Sequence, residues 1–495
     1  MKQLLLLSTL FGVLVLSAQT DVEKAEETVK KSSIEGHIYF LADDLLKGRN
    51  TGTPENKIAA SYLANTLRSY GVKPNPVSGD YYQKMDLFQF SLQEKIKLSL
   101  NGVNFPQVVA FDIDSVKSKE NAIYLNHGLE SDYKNKDVKG KIIIARAGTP
   151  GSSDMRSAFG NRVTKRDLAI KHGAKGLIEI GSFDPKQWPR FKHSFEERIS
   201  FSEGEKEPLP MYLWVQANPE QLMKFNTEVV KIEIESNGIQ KETIKTQNVV
   251  GVLEGTDPDL KNEFIIYSAH YDHIGIGKPD AEGDSIYNGA RDNAIGATAV
   301  LTIAENLAKY PTKRSALFIL FTGEEKGLLG SQYYVQNPVL PLNKMIYCFN
   351  TDGGGYNNTG LATIAGLKRT TAQRHMVKGA KTFGLEALDI DDVAPEQGLF
   401  DRSDNVSFAS AGIPAPTYST GFDAFDEEIN KYYHQAADEA ESLDYDYLVK
   451  FYQGYVLSGR LIANDPEKPF WIKGDKYEAA GNQLYNRTPD LPIKD

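Results

Sequence analysis

Cysteine is almost missing from this chain: of 495 residues, Cys348 is the single one. No intramolecular disulfide can form and no cysteine-based zinc cluster can be built, so any metal must be held by His, Asp and Glu. An excess of positive charge is missing too. Lys and Arg number 56 against 66 Asp and Glu, a formal net charge of −10, which leaves no electrostatic footprint for nucleic acid. Long apolar runs are confined to the start of the chain. Residues 4–16 form one, but it is shorter than the roughly 18 residues a membrane-spanning helix requires. With Lys2 ahead of it and the small residues Ser17 and Ala18 behind it, it reads as a secretory signal peptide over residues 1–18. No cysteine follows the apolar run, which argues against a lipoprotein. The mature chain is expected in a periplasmic or extracellular space without stable membrane insertion.

What remains is ordinary globular material, 41% hydrophobic, 25% charged and 10% aromatic, long enough for two or three compact units. Ile34, Ile38, Leu41, Leu45 and Leu46 recur at helical spacing, and a second helix is expected over residues 54–70, stopped by Gly71. Residues 96–245 carry short β-rich runs between Gly, Asp and Lys turns and read as an insert. From Asn248 onward, apolar strands expected over 248–253, 263–269, 315–322 and 344–350 alternate with helices over 294–309, 372–383 and 445–463. That alternation predicts an α/β fold with a mixed, largely parallel central sheet flanked by helices, and an inserted β-rich domain. The expected division is 19–95 and 246–465 for the main domain, 96–245 for the insert, and a polar tail over 466–495, extended over the surface.

The residues that carry chemistry cluster at the ends of these elements. His270 and His273 stand in SAHYDHIG, directly after a strand and so at the carboxyl end where α/β sheets place their sites. In an extended segment His270 and Asp272 point the same way, so one can bind a metal while the other orients it. Asp292, in NGARDNAIGA, sits where a helix N-cap would sit, yet can equally reach outward to bridge two cations. Glu324 and Glu325 are adjacent carboxylates after a very apolar strand, and would repel each other without positive charge nearby. Asp352 follows the next strand, and His434 precedes a helix in KYYHQAAD. Each has a structural explanation when taken alone. Together they place nitrogen and oxygen donors of the kind zinc accepts at consecutive boundaries of one domain.

In this order, HYDH, GARDNAIG, FTGEEKGLLGS, NTDGGG, RSDNVSFASAGIPA and YYHQAAD resemble the dizinc aminopeptidases of metallopeptidase family M28. LADDLLKGRNTGTPEN resembles that family's N-terminal helix and loop, and DVKGKIIIAR resembles a protease-associated domain, so the likeness spans about residues 35–463. The resemblance implies a zinc-exopeptidase-like fold, two zinc ions and a peptide substrate. His270 and Asp352 would hold one ion, Glu325 and His434 the other, and Asp292 would bridge them. Glu324 would be the general base, Tyr433 would help hold the developing oxyanion, and Asp272 would support His270. It also implies a cis peptide between Asp292 and Asn293.

Two departures stand out. The chain reads Ser403-Asp404-Asn405 where family members often read SDH, and Ile295 where they often have Ser. Neither position is a ligand in the resemblance, so they bear on the substrate pocket. Alternatives on the same scaffold are a carboxypeptidase or dipeptidase and, further off, a glutaminyl cyclase or a non-catalytic receptor-like ectodomain. The five implied ligands and Glu324 are all present, which disfavours the last. The oligomeric state is not legible.

Overall fold

The computed structural model describes residues 19–487 apart from 93, 203–208, 224, 226 and 227; the signal-peptide reading of residues 1–18 lies outside the described residues. The chain forms two compact units, one built from residues up to Met85 and from Thr246 onward, the other from Asp86–Lys245. The first boundary therefore falls at 85/86 and not at 95/96. The strand Tyr82–Leu92 is continuous through it, so composition does not change until well after the chain has left the first unit.

The sheet of the first unit contains β1 (Ile239–Leu253), β2 (Phe264–His270), β3 (Ser315–Phe321), β4 (Met345–Asn350), β5 (Leu361–Ala365), β6 (Glu386–Asp389) and β7 (Thr417–Thr420), in the order β6-β5-β7-β4-β2-β3-β1. β2 runs parallel to both β3 and β4, β4 to β7 and β5 to β6, while β1 with β3 and β5 with β7 are antiparallel. The expected mixed, largely parallel α/β sheet is what forms. β3, β4 and β5 are buried along their whole length, as strands covered on both faces must be, and this is why β3 and β4 read as largely apolar runs.

Alternate strand residues feed two cores. Tyr267, Phe318 and Phe349 pack with the helices α1 (Pro54–Ser69), α2 (Ile295–Lys309) and α3 (Tyr445–Asn464), whereas Ile266, Leu317 and Ile319 pack with Tyr334, Phe408 and Ile413. Local chemistry sets the helix ends. Thr53 Oγ1 accepts from the Asn56 amide with Pro54 at the first turn, and Asp444 accepts from the amides of Asp446 and Tyr447 to start α3. Residues 466–487 are not an extended polar arm. Phe470 and Trp471 are buried in the second core, Trp471 Nε1 donates to Gly412 O at 3.0 Å, and a helix forms at Glu478–Leu484. Two large apolar side chains suffice to dock a segment whose average composition is polar.

The second unit holds an eight-stranded sheet whose centre is Val229–Ser236, Val116–Tyr124, Ile142–Arg146, Gly176–Gly181 and Met211–Gln216 in spatial order. The helix Met155–Lys171 brings Lys165 into a buried ion pair with Glu179, whose other oxygen accepts from Tyr212 Oη at 2.6 Å and Trp214 Nε1 at 3.1 Å. Among the described residues no helix is long and apolar enough to cross a membrane.

Candidate metal centre

Because β3, β2 and β4 are parallel neighbours, their carboxyl ends lie side by side. His270 ends β2, Glu324 and Glu325 follow β3, and Asp352 follows β4. Two further segments complete the cluster: the irregular turn Ala290–Ala294 that precedes α2, carrying Asp292, and the residue after the short helix Glu427–Tyr432 and Tyr433, which is His434. All the sequence-predicted residues meet here.

Asp292 stands at the middle. Its Oδ1 lies 3.2 Å from His270 Nε2 and its Oδ2 3.2 Å from His434 Nε2. His270 Nε2 is also 3.2 Å from Asp352 Oδ1, and His434 Nε2 is 3.4 Å from Glu325 Oε2. Two donor groups result, His270 with Glu324 and Asp352, and His273 with Asp292 and Glu325, the atoms of each lying within 4.8 Å of one another. The peptide between Asp292 and Asn293 is cis.

Asp292 is not a helix cap. That task falls to its neighbour Asn293, whose Oδ1 accepts from the Gly296 amide at 2.9 Å while its Nδ2 donates to Thr351 O at 3.1 Å. Asp272 also acts differently from the alternation argument. β2 ends at His270, so the extended pattern stops there, and it is the backbone carbonyl of Asp272 that accepts from His270 Nδ1 at 3.1 Å. The Asp272 carboxylate, 3.8 Å from that ring nitrogen, instead accepts from Thr51 Oγ1 at 2.8 Å and from the Glu324 amide at 3.2 Å. It thereby ties the Glu324 loop to the His270 segment.

Three supporting residues were missed as such, though each stands inside a motif quoted from the sequence. Buried Asp438, in YYHQAAD, accepts from the backbone amides of Arg291 at 3.0 Å and Asp292 at 3.2 Å, and so locks the Asp292 turn to the His434 segment. Arg49, in LKGRN, is fully buried and donates to the carbonyls of Tyr271 at 2.8 Å, Gly289 at 3.0 Å and Asn288 at 2.5 Å. It holds the segments after β2 and before Asp292 together. His273 is buried, with Nδ1 2.7 Å from Glu325 Oε1. Gly289, at φ 62°, makes room for it: a Cβ there would lie 2.6 Å from the His273 ring.

The electrostatics are those of an anionic cavity short of cations. Burial opposes charge on His270, but Asp352, Glu324 and Asp292 more than offset it and hold its pKa well above the ordinary histidine value. Burial likewise opposes the Asp292 carboxylate, yet hydrogen bonds from His270 and His434 keep its pKa well below the usual carboxylate range. Burial, reinforced by Asp352, Asp404 and Glu325, pushes Glu324 far up. Burial pushes Asp404 up to about 7, with neither oxygen hydrogen-bonded. Glu325 Oε1 and both ring nitrogens of His273 are also buried without a hydrogen bond. Orphaned donor atoms of this kind are costly unless a cation or further partner satisfies them. The His, Asp and Glu set is the chemistry zinc takes, so the residues fit a pair of divalent ions.

Beside this cluster a pocket of about 170 Å³ is lined by Ala365, Ile390, Leu399, Phe422, Phe425 and Ile429, with Tyr433 and Arg402 also facing it. Gly354 lets the Tyr433 ring approach, since a Cβ there would sit 2.3 Å from it. The Tyr433 hydroxyl makes no hydrogen bond to any described residue. Arg402 has no ion pair among the described residues, because Asp401 is engaged by Lys476 and Tyr477.

Residues 248–456 match the model of Peptidase family M28. The match takes in less than half of the chain, and this segment carries the likeness to the family. The M28 segment contains every residue of the cluster described above except Thr51 and Arg49. Over 466 residues the chain is 24% identical to Aminopeptidase YwaD of Bacillus subtilis (strain 168), covering 90% of each chain. In fold it is similar to the aminopeptidase from Aneurinibacillus sp. strain AM-1, with a TM-score of 0.56 at 19% identity over 90% of this chain and 97% of that one. It is also similar to BSAP, a zinc aminopeptidase from Bacillus subtilis, with a TM-score of 0.50 at 18% identity over 89% of this chain and 97% of that one.

Proposed function

We propose that this protein is an exported, zinc-dependent aminopeptidase that removes the N-terminal residue of peptides. The observation that carries the reading is the bridging position of Asp292, one oxygen toward His270 and the other toward His434, with Glu324 alongside. His270 and Asp352 would hold one zinc, Glu325 and His434 the other, and Asp292 both. Bound there, two zinc ions lower the pKa of water and polarise the substrate carbonyl. Glu324 accepts the proton of the attacking water and returns it to the departing amine. Tyr433 Oη donates toward the oxygen on which negative charge develops. Asp272, through its carbonyl, fixes the tautomer and orientation of His270.

Recognition of the N-terminal amine rests on charge and shape. Asp272, Asp292, Glu324, Glu325 and Asp352 bring five carboxylates together, and two divalent ions neutralise about four of those charges, so a protonated or coordinated α-amine is favoured. The apolar pocket walls accept an aliphatic or aromatic first side chain. The carboxypeptidase alternative has one observation of its own, the unpaired Arg402 at the pocket, where a terminal carboxylate could be held. Export is supported by the signal-like residues 1–18, and the Asp86–Lys245 unit is read as the protease-associated insert.

Two measurements test this. Purified protein should carry two divalent ions per chain by elemental analysis and lose activity to chelators. A chain with no such metal and full activity in chelator would sink the reading. Free-amino peptides should be trimmed one residue at a time from the N-terminus, with acetylation of that amine abolishing cleavage. Release of C-terminal residues from acetylated peptides would transfer the assignment to a carboxypeptidase.

A further inference from the structure

The contact between His273 and Glu325 differs in kind from the others in the cluster. Two atoms bound to the same zinc at ordinary bond lengths and the tetrahedral angle stand roughly 3.3–3.4 Å apart. His270 to Asp292 and to Asp352, and His434 to Asp292, are each 3.2 Å, and His434 to Glu325 is 3.4 Å. These separations match those of ligands that share an ion, and the His270 Nε2–Asp352 Oδ1 contact also has hydrogen-bond geometry. His273 Nδ1 to Glu325 Oε1 is 2.7 Å, too short for two ligands of one tetrahedral zinc and typical of an N–H donor on a carboxylate, about 2.7–2.9 Å.

We infer that His273 is a positioning residue for Glu325 and not a third histidine ligand. This rests on the two-zinc reading above. The two oxygens of Glu325 are divided: Oε1 faces His273 and Oε2 faces His434. A proton on His273 Nδ1 holds Oε1 and presents Oε2 to the second ion. The pair is close but not yet aligned as a hydrogen bond, and neither atom has another hydrogen-bond partner. Each is thus the group available to satisfy the other. His273 is fully buried, its ring seated over Gly289 and edge-on to His434 with centroids 5.7 Å apart. A side chain enclosed in this way has little freedom to swing into a coordinating position.

The test uses full-length protein stripped of metal and titrated with zinc by calorimetry and by competition with a chromophoric chelator. H273L fills the space without a donor, and H273N offers a side-chain N–H near the position of Nδ1–H but is not a zinc ligand of the usual kind. Wild type should take up two ions. H273L should bind one as wild type does and the other about 10–100-fold more weakly, the usual effect of removing such a partner, and H273N should recover most of that loss. X-ray absorption on the two-zinc wild-type protein should find two imidazoles per zinc pair. Unchanged affinities in H273L, failure of H273N to recover them, or three imidazoles per pair would each overturn the inference. The absorption measurement stands even if a variant does not fold. Wild type binding fewer than two ions would instead overturn the two-zinc reading itself.

Discussion

Glu324→Gln is expected to lower kcat by about 10²–10⁴-fold, the range a positioned general base contributes, while the protein keeps its metal and its fold. The residue belongs to the cavity but is separable from the bridging set. Its backbone amide is tied to Asp272 and its carboxyl group is pushed far up in pKa by burial and by neighbouring carboxylates. In the proposed reading it is not one of the five ligands, so the amide removes proton transfer and leaves coordination. Stopped assays on a peptide substrate, run beside elemental analysis of the same preparation, read both quantities. A variant that turns over within a few-fold of wild type means the base lies elsewhere.

Asp292→Ala is expected to reduce activity to background and, unlike the previous variant, to lose metal. Asp292 has one oxygen beside each histidine, so its removal withdraws a ligand from both ions at once. Each histidine keeps one carboxylate beside it, Asp352 at 3.2 Å from His270 and Glu325 at 3.4 Å from His434, so what the variant loses is the shared ligand. Zinc titration of the variant beside wild type checks this. Retention of two tightly held ions in Asp292→Ala would remove Asp292 from the bridging position.

The candidate centre was largely legible in the chain because its residues sit at element boundaries, where apolar runs stop and a carboxylate or histidine begins. β2, β3 and β4 each announced themselves by largely apolar runs, and the helices α1, α2 and α3 by their periodicity. β5, β6 and β7 did not, since they are short and lie among glycine-rich loops. Asp292 looked like a cap because the sequence places it one turn before a helix. The cap proved to be Asn293, a distinction of one residue that depends on how the turn Ala290–Ala294 folds. Asp272 looked like a side-chain partner of His270 because alternation was carried past the last strand residue.

Residue type and order by themselves determined that a metal here must be held by nitrogen and oxygen donors, that the main domain is an α/β sheet, and which five segments bring such donors to strand and helix ends. These follow from composition and from period, which are properties of a linear string. The tertiary structure alone decided which donors are neighbours. β2 pairs with both β3 and β4, so His270, Glu324, Glu325 and Asp352 meet although they are far apart in the chain. It also decided that Arg49 and Asp438 lash the Asp292 turn in place, that His273 faces Glu325, and that Phe470 and Trp471 draw the tail into a core. Hydrogen bonds and packing between residues distant in sequence leave no periodic trace, because their partners are chosen by strand order and not by spacing.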